Sequence, residues 1–142
     1  MVLASVGHMA HLLVLVGSTI MAVGLVSLGA MCCVDPATAA ELYGLPVQRD
    51  EAVAWVRVAG LRDAALGVAT LALLACHRPA LRYFVPAILP IPLGDAALTW
   101  SSGGTAMGAA THLAGTVAVS ILCVCTWLDP TLSIADHRKT KK

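Results

Sequence analysis

Met9 to Val34 reads MAHLLVLVGSTIMAVGLVSLGAMCCV, and the first Asp, Glu, Lys or Arg of the chain, Asp35, follows it directly. A helix needs about 20 mostly apolar residues to cross the hydrocarbon core of a bilayer, and this run exceeds that length. It also exceeds the apolar core of a secretory signal, about 7–15 residues, and no Lys or Arg precedes it, so it reads as a retained span. Three more stretches qualify at about 52–76, 83–101 and 105–128. The second holds Arg57, Arg62 and Asp63, the third holds Asp95 among several prolines, and the fourth holds His112 besides its cysteines. The expected fold is all-α: a four-helix transmembrane bundle forming a single integral membrane domain over residues 1–142, with a polar tail at 129–142.

Composition agrees. Charged residues make up 12% of the 142 positions and apolar residues 58%, against roughly 25% and about half in soluble domains. A chain of this length buries only about two thirds of its surface on folding, too little to hide so much apolar area from water. Disordered chains are polar and charged, which this one is not. A net charge of +1 with no basic stripe argues against nucleic acid as a partner.

The connections are short. Asp35-Pro36 is a favourable helix start, Asp as cap and Pro in the first turn, and Gly44 with Pro46 beyond it is a helix stop. A short interfacial helix is expected between the first and second spans, with Leu42, Tyr43 and Leu45 toward the membrane surface. Lys and Arg concentrate in the 77–82 turn (Arg78, Arg82) and in the tail (Arg138, Lys139, Lys141, Lys142). By the positive-inside rule both termini are expected in the cytoplasm. In a eukaryote the endoplasmic reticulum would be the membrane, and Lys139-Thr-Lys-Lys142 approximates a dilysine signal. The chain has no Asn, hence no glycosylation acceptor. Cys32, Cys33, Cys76, Cys123 and Cys125 lack Cys-x-x-Cys spacing and read as small apolar residues. With no metal-ligand spacing, no dinucleotide fingerprint and no Gly-x-Ser-x-Gly elbow, neither metal nor cofactor is expected.

The charges inside the spans carry the functional signal. Left facing lipid, Arg57, Arg62, Asp63 and Asp95 would together cost roughly 10 kcal/mol. Arg57 is near enough to a span end to snorkel; Arg62 and Asp63 fall about mid-depth. Asp63 shares a helix face with Gly60, Gly67 and Thr70, which aims it into a close helix seam, while Arg62 points roughly 100° away. Asp95 follows Pro90, Pro92 and Gly94, where the helix should break and free carbonyls. His112 lies between Gly108 and Gly115. Three spans therefore offer polar groups that can converge, with the first span as scaffold. Trp55 and Trp100 suit either an aromatic belt or a pocket wall. The same charges would also serve as a structural ion-pair network.

Tyr43-Gly-Leu-Pro46, Val58-Ala-Gly-Leu-Arg-Asp-Ala-Ala-Leu-Gly67, Pro92-Leu-Gly-Asp95 and Thr111-His112 resemble a family of small four-helix membrane proteins of bacteria and fungal natural-product gene clusters. Its fungal relatives include epoxide hydrolase-cyclases of aurovertin- and citreoviridin-type polyketide pathways. The resemblance implies a cofactor-free membrane enzyme that opens an epoxide on a lipophilic, polyketide-like substrate by hydrolysis or cyclisation. Such a reaction needs an acid for the ring oxygen and a base for the nucleophile, roles two carboxyls can divide. Asp63, next to the Arg62 cation, is the candidate base and Asp95 the candidate acid, the order reversing if Arg62 reaches Asp95 instead. His112 is the candidate to orient a carboxyl or relay a proton. Tyr43, Trp55, Arg57 and Trp100 are the candidate substrate contacts. Membrane lipid is the surrounding partner, and the Gly-rich faces suit either intramolecular packing or a homodimer. The other readings are a small proton-coupled transporter and a structural or accessory membrane subunit.

Overall fold

The computed structural model describes residues 2–47 and 49–133; the basic tail residues Arg138 to Lys142, with the dilysine-like signal, lie outside them. The helices are α1 (Val2–Val34), α2 (Pro36–Leu42), α3 (Asp50–Cys76), α4 (Leu81–Ile88), α5 (Pro90–Ser101) and α6 (Ala106–Leu128), with 3₁₀ turns at Arg78–Ala80 and Pro130–Leu132. There is no strand among the described residues. The fold is all-α, and four helical stretches are long and apolar enough to cross a membrane: Ser5–Val34, Asp50–Cys76, Arg78–Ser101 and Ala106–Leu128. They match a multi-pass membrane protein.

The third stretch begins five residues earlier than the expected Tyr83, because the 77–82 turn is itself mostly helical. Only His77, at φ −155°, leaves the helical region before the 3₁₀ turn resumes. The proline break is also milder than expected. Pro86 sits inside α4, yet Leu89, between α4 and α5, keeps helical angles (φ −52°, ψ −38°). Its N–H donates to the Pro86 carbonyl at 3.2 Å, a 3₁₀ step that keeps the chain helical where Pro90 supplies no N–H. The prolines produce a one-residue discontinuity, not an open backbone.

α1 and α3 form the most intimate pair. The buried face of α1 recurs every four residues at Ala10, Val14, Ser18 and Ala22 and ends at Cys32, one stripe of a helix. It meets Gly60, Asp63, Gly67 and Thr70, the buried face of α3. A Cβ on Gly67 would stand 2.6 Å from the Ala22 carbonyl oxygen, so the backbones approach as only small residues allow. The apolar core lies toward the N-terminal end of α1, where Val14 packs with Leu81, Val85, Val119, Leu122, Cys125 and Leu132. This core fills the end of the bundle that carries the 77–82 turn. There Arg82 Nε donates to the Thr126 carbonyl at 3.2 Å, and its guanidinium lies 4.9 Å from the centre of the Trp127 ring. The opposite end, where the 35–51 connection meets the α5–α6 turn, is left to polar groups.

Candidate functional site

Asp63 projects from the Gly-lined face of α3 and its side chain is 4% exposed. A buried carboxylate is tolerated only with charge and hydrogen-bond partners. Arg62 Nε and a terminal guanidinium nitrogen each reach Asp63 Oδ1 at 3.0 Å, and the Tyr43 hydroxyl donates to Oδ2. The Arg62 guanidinium also extends to Asp95 Oδ2 at 3.4 Å, and the Asp95 side chain is 23% exposed. Although the Arg62 backbone position faces away from Asp63, its long side chain curls back. One cation thus bridges the carboxyls of α3 and α5.

Tyr43 reaches Asp63 because its loop is folded inward. Asp35 caps α2 as expected, accepting from Thr38 N–H at 3.2 Å; that bond holds the Asp35 carboxyl below its usual range. Gly44 then takes φ +81°, a left-handed angle that glycine adopts without a Cβ penalty, and turns the chain onto the α5–α6 corner. The Thr105 N–H donates to the Gly44 carbonyl at 2.9 Å, and Gly104 and Gly108 leave room for the loop. His112 Nε2 donates to the Tyr43 carbonyl at 3.2 Å, and the two rings lie 5.3 Å apart. Burial, then the carboxylate it faces, pushes the Tyr43 phenol well above its usual range. His112 therefore holds Tyr43 in place, and Tyr43 is turned inward and not laid on the membrane surface.

A Cβ on Gly29 would lie 2.8 Å from Ala64, so Asp63 is level with Gly29, five residues or about 8 Å before the end of α1. Asp63 is the middle residue of α3, as the sequence placed it, and the first two turns of α3 extend past the end of α1.

Below this polar end opens a cavity of about 880 Å³, within the usual range for small-molecule sites of roughly 300–1,000 Å³. Tyr43, Asp63, Asp95 and His112 line one end; Leu13, Ile20, Leu25 and Leu28 of α1, Ile88 and Ile91, and Leu122 of α6 line the rest. Among the lining residues, Ile20 (67% exposed) and Met107 (77%) lie on the outer faces of α1 and α6, so the cavity opens sideways between those helices. α1 is a wall of the cavity and not merely scaffold. Its contribution was invisible in an unbroken apolar run; Thr99, one turn after Asp95 on the same face of α5, brings its hydroxyl to the Tyr43 carbonyl at 3.5 Å.

The other candidate contacts stand apart. Trp55 and Trp100 are each 72% exposed and neither lines the cavity, which fits belt anchors. Arg57 is exposed on the projecting turns of α3 and is also outside the cavity. Among the described residues no cluster of three or more His, Cys, Asp or Glu is placed to hold a metal ion.

The model of a family described as "Domain of unknown function (DUF4267)" matches residues 22–128, a stretch that includes Tyr43, Arg62, Asp63, Asp95 and His112. No curated protein and no solved structure matches the chain.

Proposed function

The chain belongs to the DUF4267 family, and from that premise we propose that it is a cofactor-free membrane enzyme that opens an epoxide on a lipophilic, polyketide-like substrate. The observation that carries the reading is that Asp63 and Asp95, bridged by Arg62, line the polar end of a mostly apolar, laterally open cavity. A substrate of that class enters from the bilayer between α1 and α6 and brings its reactive carbons to Asp63 and Asp95. The Asp95 proton passes to the ring oxygen as the carbon–oxygen bond breaks. Water or a hydroxyl of the substrate attacks the same carbon and gives its proton to Asp63. A proton then returns from Asp63 to Asp95, and Arg62, bonded to both, keeps the two close. The shorter contact of Arg62 to Asp63 supports Asp63 as the base. General acid and general base each contribute typically 10²–10⁴-fold.

Two features favour this reading over a proton-coupled carrier or an accessory subunit. A carrier needs one carboxylate that exchanges protons with water, whereas here two carboxyls from different helices are held side by side by Arg62. An accessory subunit turns its charges outward, whereas Asp63 and Asp95 line the cavity. The positive-inside rule puts both termini in the cytoplasm, and in a eukaryote the endoplasmic reticulum is the expected membrane.

The test uses the purified full chain in detergent with a long-chain lipophilic epoxide, product being followed by mass spectrometry. Asp95→Asn and Asp63→Asn should each slow conversion by about 100-fold or more, while Arg57→Gln should leave it unchanged. Unchanged turnover in both Asn variants sinks the acid–base reading. Proton-linked uptake of the same compound into proteoliposomes, without conversion, transfers the site to a carrier.

A further inference from the structure

A second polar pocket lies at the far end of the bundle, independent of the proposed reaction. It is about 470 Å³ and lined by His11, Cys76, His77, Arg78, Pro79 and Thr131. Its floor is built. Asp129, fully buried, accepts from the Thr131 N–H at 2.9 Å and the Thr131 hydroxyl at 2.8 Å through Oδ1, and faces His11 Nδ1 at 3.0 Å through Oδ2. The carboxylate is thereby committed within the protein. It fixes the His11 ring and leaves Nε2 without a protein partner among the described residues. Arg78 is exposed and spends only Nε on the protein, donating to the Leu74 carbonyl at 2.9 Å; its two terminal nitrogens have no partner among the described residues. The mouth thus offers one permanent cation, with His11 and His77 as further N–H donors when protonated.

Position identifies the ligand class. The pocket residues lie where the membrane-spanning helices end. Cys76 ends one membrane-spanning helix, Arg78 begins the next, and Thr131 follows the end of the last by three residues. The pocket therefore lies at the membrane–water boundary, on the face where Arg78 and Arg82 cluster. Basic pockets between helices at such a boundary receive lipid phosphates.

We infer that the Arg78–His11–His77 pocket binds the phosphate of an anionic ligand, a lipid headgroup at this depth. The full chain in detergent is incubated with phosphatidylglycerol or with phosphatidylcholine of the same acyl chains, and retained lipid is counted by native mass spectrometry. Phosphatidylglycerol should be retained about five-fold over phosphatidylcholine, the effect of one interfacial cation. Arg78→Gln should bring the ratio near one, Arg78→Lys should restore most of it, and Arg57→Gln should keep it. A ratio near one in the unaltered chain, an unchanged ratio in Arg78→Gln, or an equal fall in Arg57→Gln overturns the inference. Displacement of the lipid by inorganic phosphate at millimolar concentration assigns the site to free phosphate; retention assigns it to the headgroup.

Discussion

Gly67→Ala tests the closest contact of the bundle. The added Cβ would stand 2.6 Å from the Ala22 carbonyl oxygen, 2.7 Å from Val26 Cγ2 and 3.0 Å from the Val26 nitrogen, where ordinary contact begins at 3.4 Å. Two of the three obstacles are backbone, so no rotamer change relieves them, and α1 and α3 must part by a substantial fraction of an ångström. Overpacking of this kind costs about 1–3 kcal/mol. Exchanging Gly for Ala in a helix interior also stabilises by about 1 kcal/mol, which would mask part of the loss. Gly24→Ala supplies the reference, because Gly24 is interior to α1 and nothing lies within 4 Å of its Cβ position. The propensity gain cancels between the variants, and Gly67→Ala should be less stable than Gly24→Ala by about 1–3 kcal/mol. Reversible unfolding of the purified chain in mixed micelles measures the difference. A gap under about 0.5 kcal/mol, the usual additivity error, would mean that the two backbones do not meet at Ala22 and Gly67.

Two other predictions concern the inward loop. Tyr43→Phe removes a donor from buried Asp63; hydrogen bonds to charged groups contribute about 1.5–3 kcal/mol, and a double-mutant cycle with Asp63→Asn should give a coupling above about 1 kcal/mol, a value under 0.5 kcal/mol counting against the contact. Gly44→Ala combines a left-handed angle, φ +81°, with a Cβ placed 2.7 Å from Gly108 Cα, whereas Gly103→Ala meets only the angle, φ +74°. The first should therefore be less stable by about 1–3 kcal/mol and should speed hydrogen exchange at the Thr105 amide, which bonds the Gly44 carbonyl; equal effects would detach the loop from the α5–α6 corner.

Much of the fold was legible in order. Four apolar runs, the cap at Asp35 and the stop at Gly44 are local signals, and the helices follow them within a few residues except at α1, which begins seven residues before the expected Met9, and at Arg78, where the turn is helical. The Gly60–Asp63–Gly67–Thr70 face was legible too, since helical periodicity alone aligns those positions. The proline break was overread, because missing N–H groups can be absorbed by a single 3₁₀ step at Leu89.

The site was legible as a set of residue types and not as an arrangement. Asp63, Asp95 and Arg62 announce themselves because charge in an apolar run is costly wherever it lies. Their depth depends on how far α3 slides along α1, which the Gly29–Ala64 contact decides. His112 does face the carboxyls as expected, but Tyr43 was placed at the membrane surface, because its loop's inward turn rests on a backbone bond between Gly44 and the distant Thr105. The walls of α1 carry no local mark, since a leucine toward lipid and one toward a cavity look alike in sequence. By itself the sequence determined that the chain is a helical membrane bundle with a few charges in its spans, because the bilayer penalises each residue separately. Tertiary structure alone decided which of those charges share a cation and what space they face, because both depend on where the helices stand relative to one another.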